Sequence, residues 1–209
     1  MNVTILAANG QITHLVEERL LTEPTFKDIQ LTLMLRHPER LSELNDNPRV
    51  TLLDGDLTNP KDVIQATKDA DLIWSAVVDH DQTNRPTKNI IAAAKLNGVE
   101  RVVETSLLGL YNEVPGEFGD WNRDYGGTDR STAGGVWFNL YPLRLPWLND
   151  RPEVNYTLTH RHDQFVGVSG SRRSIADVVC RIIADPSLGA NDSLGIGDPT
   201  TEGATRPVY

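Results

Sequence analysis

Cysteine is nearly absent from this 209-residue chain: Cys180 stands alone, which excludes an internal disulfide framework. It lies in Asp177-Val178-Val179-Cys180-Arg181-Ile182-Ile183, with no histidine or cationic cluster beside it to lower its pKa, so it reads as a small buried apolar group and not as a nucleophile. Long hydrophobic runs are missing too. No stretch approaches the roughly 18 to 20 apolar residues of a membrane-spanning helix, and Met1 to Ala8 lacks the basic region of a secretory leader, so a soluble cytoplasmic protein is the expectation. Positive charge is scarce: 20 Lys and Arg against 29 Asp and Glu leave a net charge of −9, which argues against nonspecific nucleic-acid binding, a property of basic surfaces. A local anion site remains compatible with that balance, because backbone N–H groups and one or two arginines dominate the field over a small region.

What is present is ordinary globular composition, with 39% hydrophobic and 23% charged residues, 16 Gly and 12 Pro; disorder, collagen and coiled coil are excluded as the main theme. At roughly 150 residues per domain the length suits one domain with elaborations. From Met1 to about Ser106, strand-like and helix-like segments alternate. Asn2 to Ala7 is a short apolar run suited to a buried strand, and Ile12, Leu15, Val16 and Leu20 then recur with the period of one helix face. Ile29 to Leu35, Arg49 to Leu53, Ala70 to Val77 and Arg101 to Thr105 read as four further strands, with helices over Pro60 to Lys68 and Asn84 to Asn97, the latter closed by Gly98. Five strands interleaved with helices predict an α/β fold, a Rossmann-like doubly wound parallel sheet with helices on both faces. The second half is less regular: seven glycines fall between Gly109 and Gly135, and order returns with a strand over Val136 to Leu145, an amphipathic helix over Arg173 to Ala184 and a short strand over Ser193 to Ile196. The expected organisation is a single domain with a small C-terminal elaboration: residues 1–106 form a nucleotide-binding half, and 107–209 supply sheet completion, a lid and substrate-side segments.

Chemistry concentrates at the predicted strand ends. Ala7-Ala8-Asn9-Gly10-Gln11-Ile12-Thr13 joins the first strand to the first helix, where unpaired amides and the helix dipole converge on a phosphate in open parallel sheets. Gly10 alone of three expected glycines is present; Ala7 and Thr13 occupy the places of the first and third. The second strand ends Leu35-Arg36-His37-Pro38, and an arginine there suits a 2′-phosphate where a carboxylate would suit free ribose hydroxyls, which favours NADP(H) over NAD(H). Asp56, after the third strand, either accepts from an adenine amino group or serves as a turn or helix-cap residue. Asp79-His80-Asp81 and His160-Arg161-His162-Asp163 read as solvated loops and not as metal sites, since adjacent side chains on an extended segment point apart.

Several of these segments together carry a resemblance. Ala7 to Thr13, Arg36-His37-Pro38-Glu39-Arg40-Leu41, Val50 to Leu57, Arg101-Val102-Val103-Glu104-Thr105-Ser106, Tyr141-Pro142-Leu143-Arg144-Leu145-Pro146-Trp147-Leu148 and Ser171 to Val179 resemble, in order and spacing, the strand ends and late helix of atypical short-chain dehydrogenase/reductases of the NmrA-like, NAD(P)-binding kind. The resemblance implies that Ala8 and Asn9 contact the cofactor, with Gly10, Gln11 and Ile12 along its pyrophosphate. It places Arg36 at the adenosine phosphate, Asp56 and Leu57 at the adenine, and Ala76 and Val77 at the middle of the cofactor. Ser106 matches the serine that hydrogen-bonds a substrate carbonyl in active members. Those members also use a Tyr-x-x-x-Lys pair, in which lysine acidifies the phenol for proton exchange. Here the sequence departs: Tyr125, the nearest candidate, has Asp129 four residues on, no tyrosine has Lys at that spacing, and the last lysine is Lys95. A neighbouring anion raises a phenol's pKa.

The sequence therefore points to an NADP(H)-dependent atypical reductase that passes hydride to a small acceptor such as a quinone, a flavin or an activated carbonyl, chemistry that depends on stacking and water exclusion more than on a dedicated proton relay. Trp121, Trp137 and Phe138 either wall such a site or pack a core or lid. The alternative reading is a non-catalytic NAD(P)(H) sensor that binds a partner; a sugar epimerase or dehydratase is disfavoured because the chain leaves little room for a substrate lobe. The expected partners are a small-molecule substrate, no nucleic acid and no membrane, in a monomer or homodimer with no metal.

Overall fold

The computed structural model describes residues 1–81, 83–114 and 139–209. Contacts divide the chain into two compact units, the first built on Met1–Glu104, the second on the segment from Thr105 together with Tyr141–Tyr209. In the first unit β1 (Asn2–Leu6), β2 (Gln30–Leu35), β3 (Val50–Asp54), β4 (Leu72–Ser75) and β5 (Arg101–Leu107) lie in the order β3-β2-β1-β4-β5, and β5 runs on into the second unit. Every pair is parallel. Strands β1 and β4 are buried on both faces and accordingly read as near-continuous apolar runs, Val3-Thr4-Ile5-Leu6 and Leu72-Ile73-Trp74.

The order reverses at β1. Right-handed crossovers therefore put α1 (Gln11–Thr22), which leads from β1 to β2, on one face, and α2 (Pro60–Ala66) and α3 (Arg85–Asn97), which lead toward β4 and β5, on the other. A cross-strand row from Leu53 through Met34, Leu6 and Ser75 to Glu104 follows from the pairing register. Its apolar members pack with Val63 and Ala66 of α2 and with Ile90, Ala93 and Ala94 of α3. The five predicted strands and three helices of this half all form; β4 is shorter than Ala70 to Val77 because Ala76 and Val77 already turn out of the sheet.

On α1 the predicted face appears as buried Val16 and Leu20, but Glu17 is buried beside them at 3% exposure. Burial, with Glu43 nearby as a second negative charge, raises its carboxyl from the ordinary 4.5 to about 8. His14 Nδ1 stands 3.6 Å away. At the far end of α1, where backbone carbonyls lack helical partners, the Arg49 guanidinium donates to the carbonyls of Leu20, Leu21 and Phe26 at 3.0, 2.5 and 2.9 Å.

In the second unit β6 (Asn139–Leu145) pairs in parallel with β10 (Leu194–Gly197), and β10 pairs antiparallel with β8 (Thr157–Thr159). A separate parallel pair joins β7 (Trp147–Asn149) to β9 (Ser169–Ser171). β7, β8 and β9 are three residues each, too short for an alternation to register in the sequence. Strand β10 needs Gly195, where a Cβ would meet Thr159 Oγ1 at 2.3 Å and the Phe165 ring at 2.7 Å. The last helix, α4 (Arg172–Ala184), starts at Ser171, whose Oγ accepts from Ser174 N–H at 3.0 Å, and buries Ile175, Val178, Val179, Ile182 and Ile183 as its spacing predicts. Cys180 is 1% exposed on this helix. Arg144 on β6 is fully buried and donates to Glu113 Oε1 (2.9 Å), Ser193 Oγ (3.1 Å) and the Thr159 and His160 carbonyls (2.9 and 2.8 Å). Glu113 in turn accepts from the Gly109 and Tyr111 amides at 2.9 and 2.7 Å. No described helix is long and apolar enough to cross a membrane.

Two stability predictions follow from these buried charges. Arg144→Met leaves Glu113 buried without its cation and lowers unfolding stability by about 3–5 kcal/mol in urea denaturation; a loss within experimental error contradicts the pairing. For Glu17 the folded pKa lies above the unfolded one, so the folded state is favoured fully below pH 4.5 and loses that advantage as pH rises toward 8. Glu17→Gln therefore stabilises the protein relative to wild type at pH 9 and has little effect at pH 4, read as the shift in urea midpoint. An equal shift at both pH values contradicts the raised carboxyl.

Candidate functional site

The connections that follow β1, β2, β3 and β4 leave the same edge of the first unit's sheet and enclose a cleft of about 760 Å³. Ala7, Asn9 and Gly10 line it after β1, Arg36, His37 and Arg40 after β2, Gly55 to Thr58 after β3, and Ala76 to Asp81 after β4. Parallel strands make this convergence unavoidable, since all their carboxyl ends point one way.

The turn after β1 is built with one of its usual three glycines, Gly10. Ala7 takes φ 62°, the left-handed conformation that costs an L-residue roughly 1–2 kcal/mol. Ala8 is 0% exposed, and its N–H donates to the Met34 carbonyl at 3.1 Å. Gly10 has φ −94°, an ordinary extended conformation, so its place is not fixed by torsion. The Thr13 hydroxyl closes the turn, accepting from Gly10 N–H at 2.6 Å and donating to Gly10 C=O at 2.5 Å. Gln11 and Ile12 are the first residues of α1; their amides belong to the helical turn that has no intrahelical acceptor and is open to an anion.

After β2, His37 also has a positive φ, 65°, and its N–H donates to Asp54 Oδ1 at 3.3 Å. Non-glycine residues held in this region cluster at binding and catalytic sites. Arg36 is largely exposed, its Nη1 4.0 Å from Asp56 Oδ2, so its guanidinium is available at the rim. Asp56 Oδ1 accepts from Thr58 N–H and Thr58 Oγ1, both at 2.8 Å. Those bonds hold its carboxyl below the ordinary carboxylate range, with Arg36 adding a smaller effect. Asp56 thus performs the turn role, and its other oxygen faces Arg36. Gly55 is demanded by close approach: a Cβ there would lie 2.8 Å from Met34 Sδ and 3.1 Å from Asp62 Cβ.

Of the residues singled out in the sequence, Asn9, Gly10, Arg36, Asp56, Leu57, Ala76 and Val77 come together around this cleft. Ser106 lies on β5 at 0% exposure. Tyr125, Trp121, Trp137 and Phe138 lie outside the described residues. Sequence reasoning did not assign Arg40 or Asp79 to the site, and both line it. Arg40 carried a readable signal, a second arginine four residues after Arg36; Asp79 carried none, because its inward direction depends on the fold of the loop after β4. Among the described residues no group of histidine, cysteine and carboxylate side chains is arranged to hold a metal ion.

Comparison with known proteins decides the family. The sequence profile described as NAD(P)H-binding matches residues 7–131, more than half of the chain. The chain belongs to the NAD(P)H-binding family. Members and relatives with solved structures share its architecture over nearly the whole length. A short-chain dehydrogenase/reductase from Veillonella parvula is 27% identical with a TM-score of 0.85, covering 100% of this chain and 99% of its own. A short-chain dehydrogenase/reductase of the wide type from the same organism, solved in complex with NADP, is 28% identical at a TM-score of 0.84 and covers 96% of each chain. A Rossmann-fold NAD(P)-binding family protein from Shigella flexneri is 28% identical at 0.76, covering 100% and 98%. No curated protein sequence matches. The fold is accordingly Rossmann-like, as the alternation of strands and helices predicts, and the chain is similar to short-chain dehydrogenase/reductases of the atypical kind. The donor set of the cleft fits the family's ligand: first-turn amides of α1 suit a diphosphate, and Arg36 and Arg40 add positive charge to its lining.

The turn supplies a prediction that separates strain from binding. Ala7→Gly relieves the left-handed conformation and raises stability by up to about 1 kcal/mol, whereas Ala7→Val, β-branched at positive φ, lowers it by more than that. Urea midpoints that move in the same direction for both variants contradict the strained turn.

Proposed function

We propose that this protein binds NADP(H) in the cleft of its first unit and acts as an atypical short-chain reductase, passing hydride to a small acceptor such as a quinone, a flavin or an activated carbonyl. The observation that carries the cofactor preference is Arg36, at the end of β2, lining the cleft together with Arg40. A guanidinium at that position matches a 2′-phosphate, while a cofactor with a free 2′-hydroxyl is held by a carboxylate there. The assignment keeps Ala8, Asn9, Gly10, Gln11 and Ile12 at the diphosphate, Asp56 and Leu57 at the adenine, and Ala76 and Val77 along the middle of the cofactor. The bound nicotinamide supplies hydride; the chain's own residues bind, orient and exclude water. A cytoplasmic protein with a small-molecule substrate is the setting this reading assumes.

The departure from Tyr-x-x-x-Lys favours acceptors whose reduction does not wait on a phenol. It also motivates a second reading, a sensor of NADP(H) that reports to a partner, which the full burial of Ser106 supports. Consumption of NADPH, followed at its absorbance with a panel of quinones, flavins and aldehydes, separates the two: binding without acceptor-dependent turnover eliminates the reductase and leaves the sensor.

Calorimetric titration tests the cofactor assignment. Arg36→Glu weakens NADPH by about tenfold or more, the equivalent of one charge-assisted hydrogen bond, and leaves NADH nearly unchanged. Equal loss for both dinucleotides contradicts the 2′-phosphate contact. Gly10→Val abolishes binding of both while the fold is retained, because a Cβ at Gly10 already approaches Thr13 Oγ1 at 3.3 Å and valine's methyl groups would fill the diphosphate turn; undiminished affinity moves the phosphate site elsewhere.

A further inference from the structure

The second unit has a pocket of its own, of about 380 Å³, a volume that suits a small molecule. Tyr111, Glu113, Arg161, His162, Asp163 and Gln164 line it. Two guanidinium groups approach one aromatic ring there: Arg144 Cζ lies 5.5 Å and Arg161 Cζ 5.2 Å from the centre of the Tyr111 ring. They differ in their partners. Arg144 meets Glu113 Oε1 at 2.9 Å, and its charge is cancelled locally. Arg161 forms no ion pair among the described residues, and its Nε, although buried, has no hydrogen-bond partner among them. A buried donor left in this way is rare in folded proteins and calls for an acceptor.

The backbone around Arg161 is fixed without use of its side chain. Its N–H donates to Asp192 Oδ1 at 3.2 Å; Asp192 also accepts from Ser193 N–H at 2.7 Å, and its Oδ2 lies 2.6 Å from His160 Nδ1. Asp163 Oδ2 accepts from the His160 amide at 2.8 Å. Glu113 is engaged by Arg144 and by the Gly109 and Tyr111 amides, and its carbonyl accepts from Phe165 N–H at 3.1 Å, which ties the segment after β5 to the one after β8. Both carboxylates of the lining thus already hold partners, while the Arg161 guanidinium has only the Tyr111 ring against it. Stacking on that ring sets the plane in which its N–H groups point.

We infer that the second unit binds a small monocarboxylic acid carrying a hydroxyl or oxo oxygen beside its carboxylate, held by Arg161. A carboxylate matches the planar guanidinium fork in a two-bond pair, and a side-on approach uses Nε and one Nη as the two donors, which satisfies the orphaned Nε–H. Glu113 and Asp163 in the same lining make room for one negative charge and not for two, so a phosphate or a dicarboxylate is disfavoured. His162 and Gln164, both exposed, supply hydrogen bonds for the further oxygen. The site is made wholly of second-unit residues and does not rest on the cofactor reading.

Nuclear magnetic resonance of the full-length, nitrogen-labelled chain at neutral pH tests it. The Arg161 Nε–H signal is identified by its loss in Arg161→Gln and in Arg161→Lys. Titration with pyruvate, lactate or glycolate moves that signal saturably, and the amide signals of His162 and Gln164 with it. Followed on those amides, Arg161→Gln weakens the acid by about tenfold or more, the equivalent of the lost charge-assisted hydrogen bonds, and Arg161→Lys, which keeps the charge but not the fork, does not restore it. Lactamide, neutral and of the same shape as lactate, leaves the Arg161 signal in place. A site that none of the three acids saturates, an affinity unchanged in Arg161→Gln, or an equal response to lactamide overturns the inference. Inorganic phosphate that saturates the signal at a lower concentration than the acids overturns the carboxylate assignment. Should Arg161→Gln fail to fold, Tyr111→Leu removes the ring that orients the guanidinium; weaker binding is then the expected result and undiminished affinity the contrary one. Failure of NADPH to bind strikes the cofactor reading and leaves this result standing.

Discussion

Parallel pairing is the constraint on which the first unit depends. Because β1 pairs with both β2 and β4, and β2 with β3, all in one direction, four chain turns emerge at one edge and must pack around each other. The reversal of order at β1 sends the crossovers to opposite faces and opens the crevice between them. Residues as distant as Gly10, Arg36, Asp56 and Asp79 become neighbours for that reason. None of them has to be brought there by a contact of its own.

Strand ends are also where the backbone departs from its easy conformations. Ala7 and His37 both take positive φ at the mouth of the cleft, and the surrounding sheet holds them there: Ala8 N–H bonds the Met34 carbonyl and Gly55 N–H bonds the Leu35 carbonyl. Regular pairing on one side of each turn thus sustains irregular geometry on the other. In the second unit the equivalent organising element is ionic. Arg144 and Glu113, buried at 0% and 7%, tie β6 to the segment after β5 and to the β8–β9 connection. A charge pair so deeply buried persists because nearly every donor and acceptor in it is satisfied, by side chains and backbone together.

Much of the fold was legible because its signals are local. The i, i+3, i+4 recurrence on α1 and α4, Pro60 and Gly98 at helix ends, and the five apolar runs each report the environment of their own segment, and each appears within a few residues of its expected place. The short strands β7 to β9 were not legible, since three residues carry no period and their pairing is set by partners far along the chain. The candidate site divides in the same way. Turn residues after β1, β2 and β3 were readable from their position at strand ends, whereas Asp79 and Arg40 join the cleft through the course of their loops. The burial of Glu17 on an otherwise apolar helix face could not be read from a residue type that is ordinarily exposed.

The sequence by itself determined the order of strands and helices in the first unit and the absence of a Tyr-x-x-x-Lys pair, because periodicity and spacing are properties of the chain alone. Only the tertiary structure decided which charges are paired and which protons are held. Whether Asp56 works as a turn residue, whether Arg36 stays at the rim and whether Arg144 meets Glu113 are questions of distance between segments. Electrostatic energy and hydrogen bonding vary steeply over a few ångströms, and no spacing along the chain specifies them.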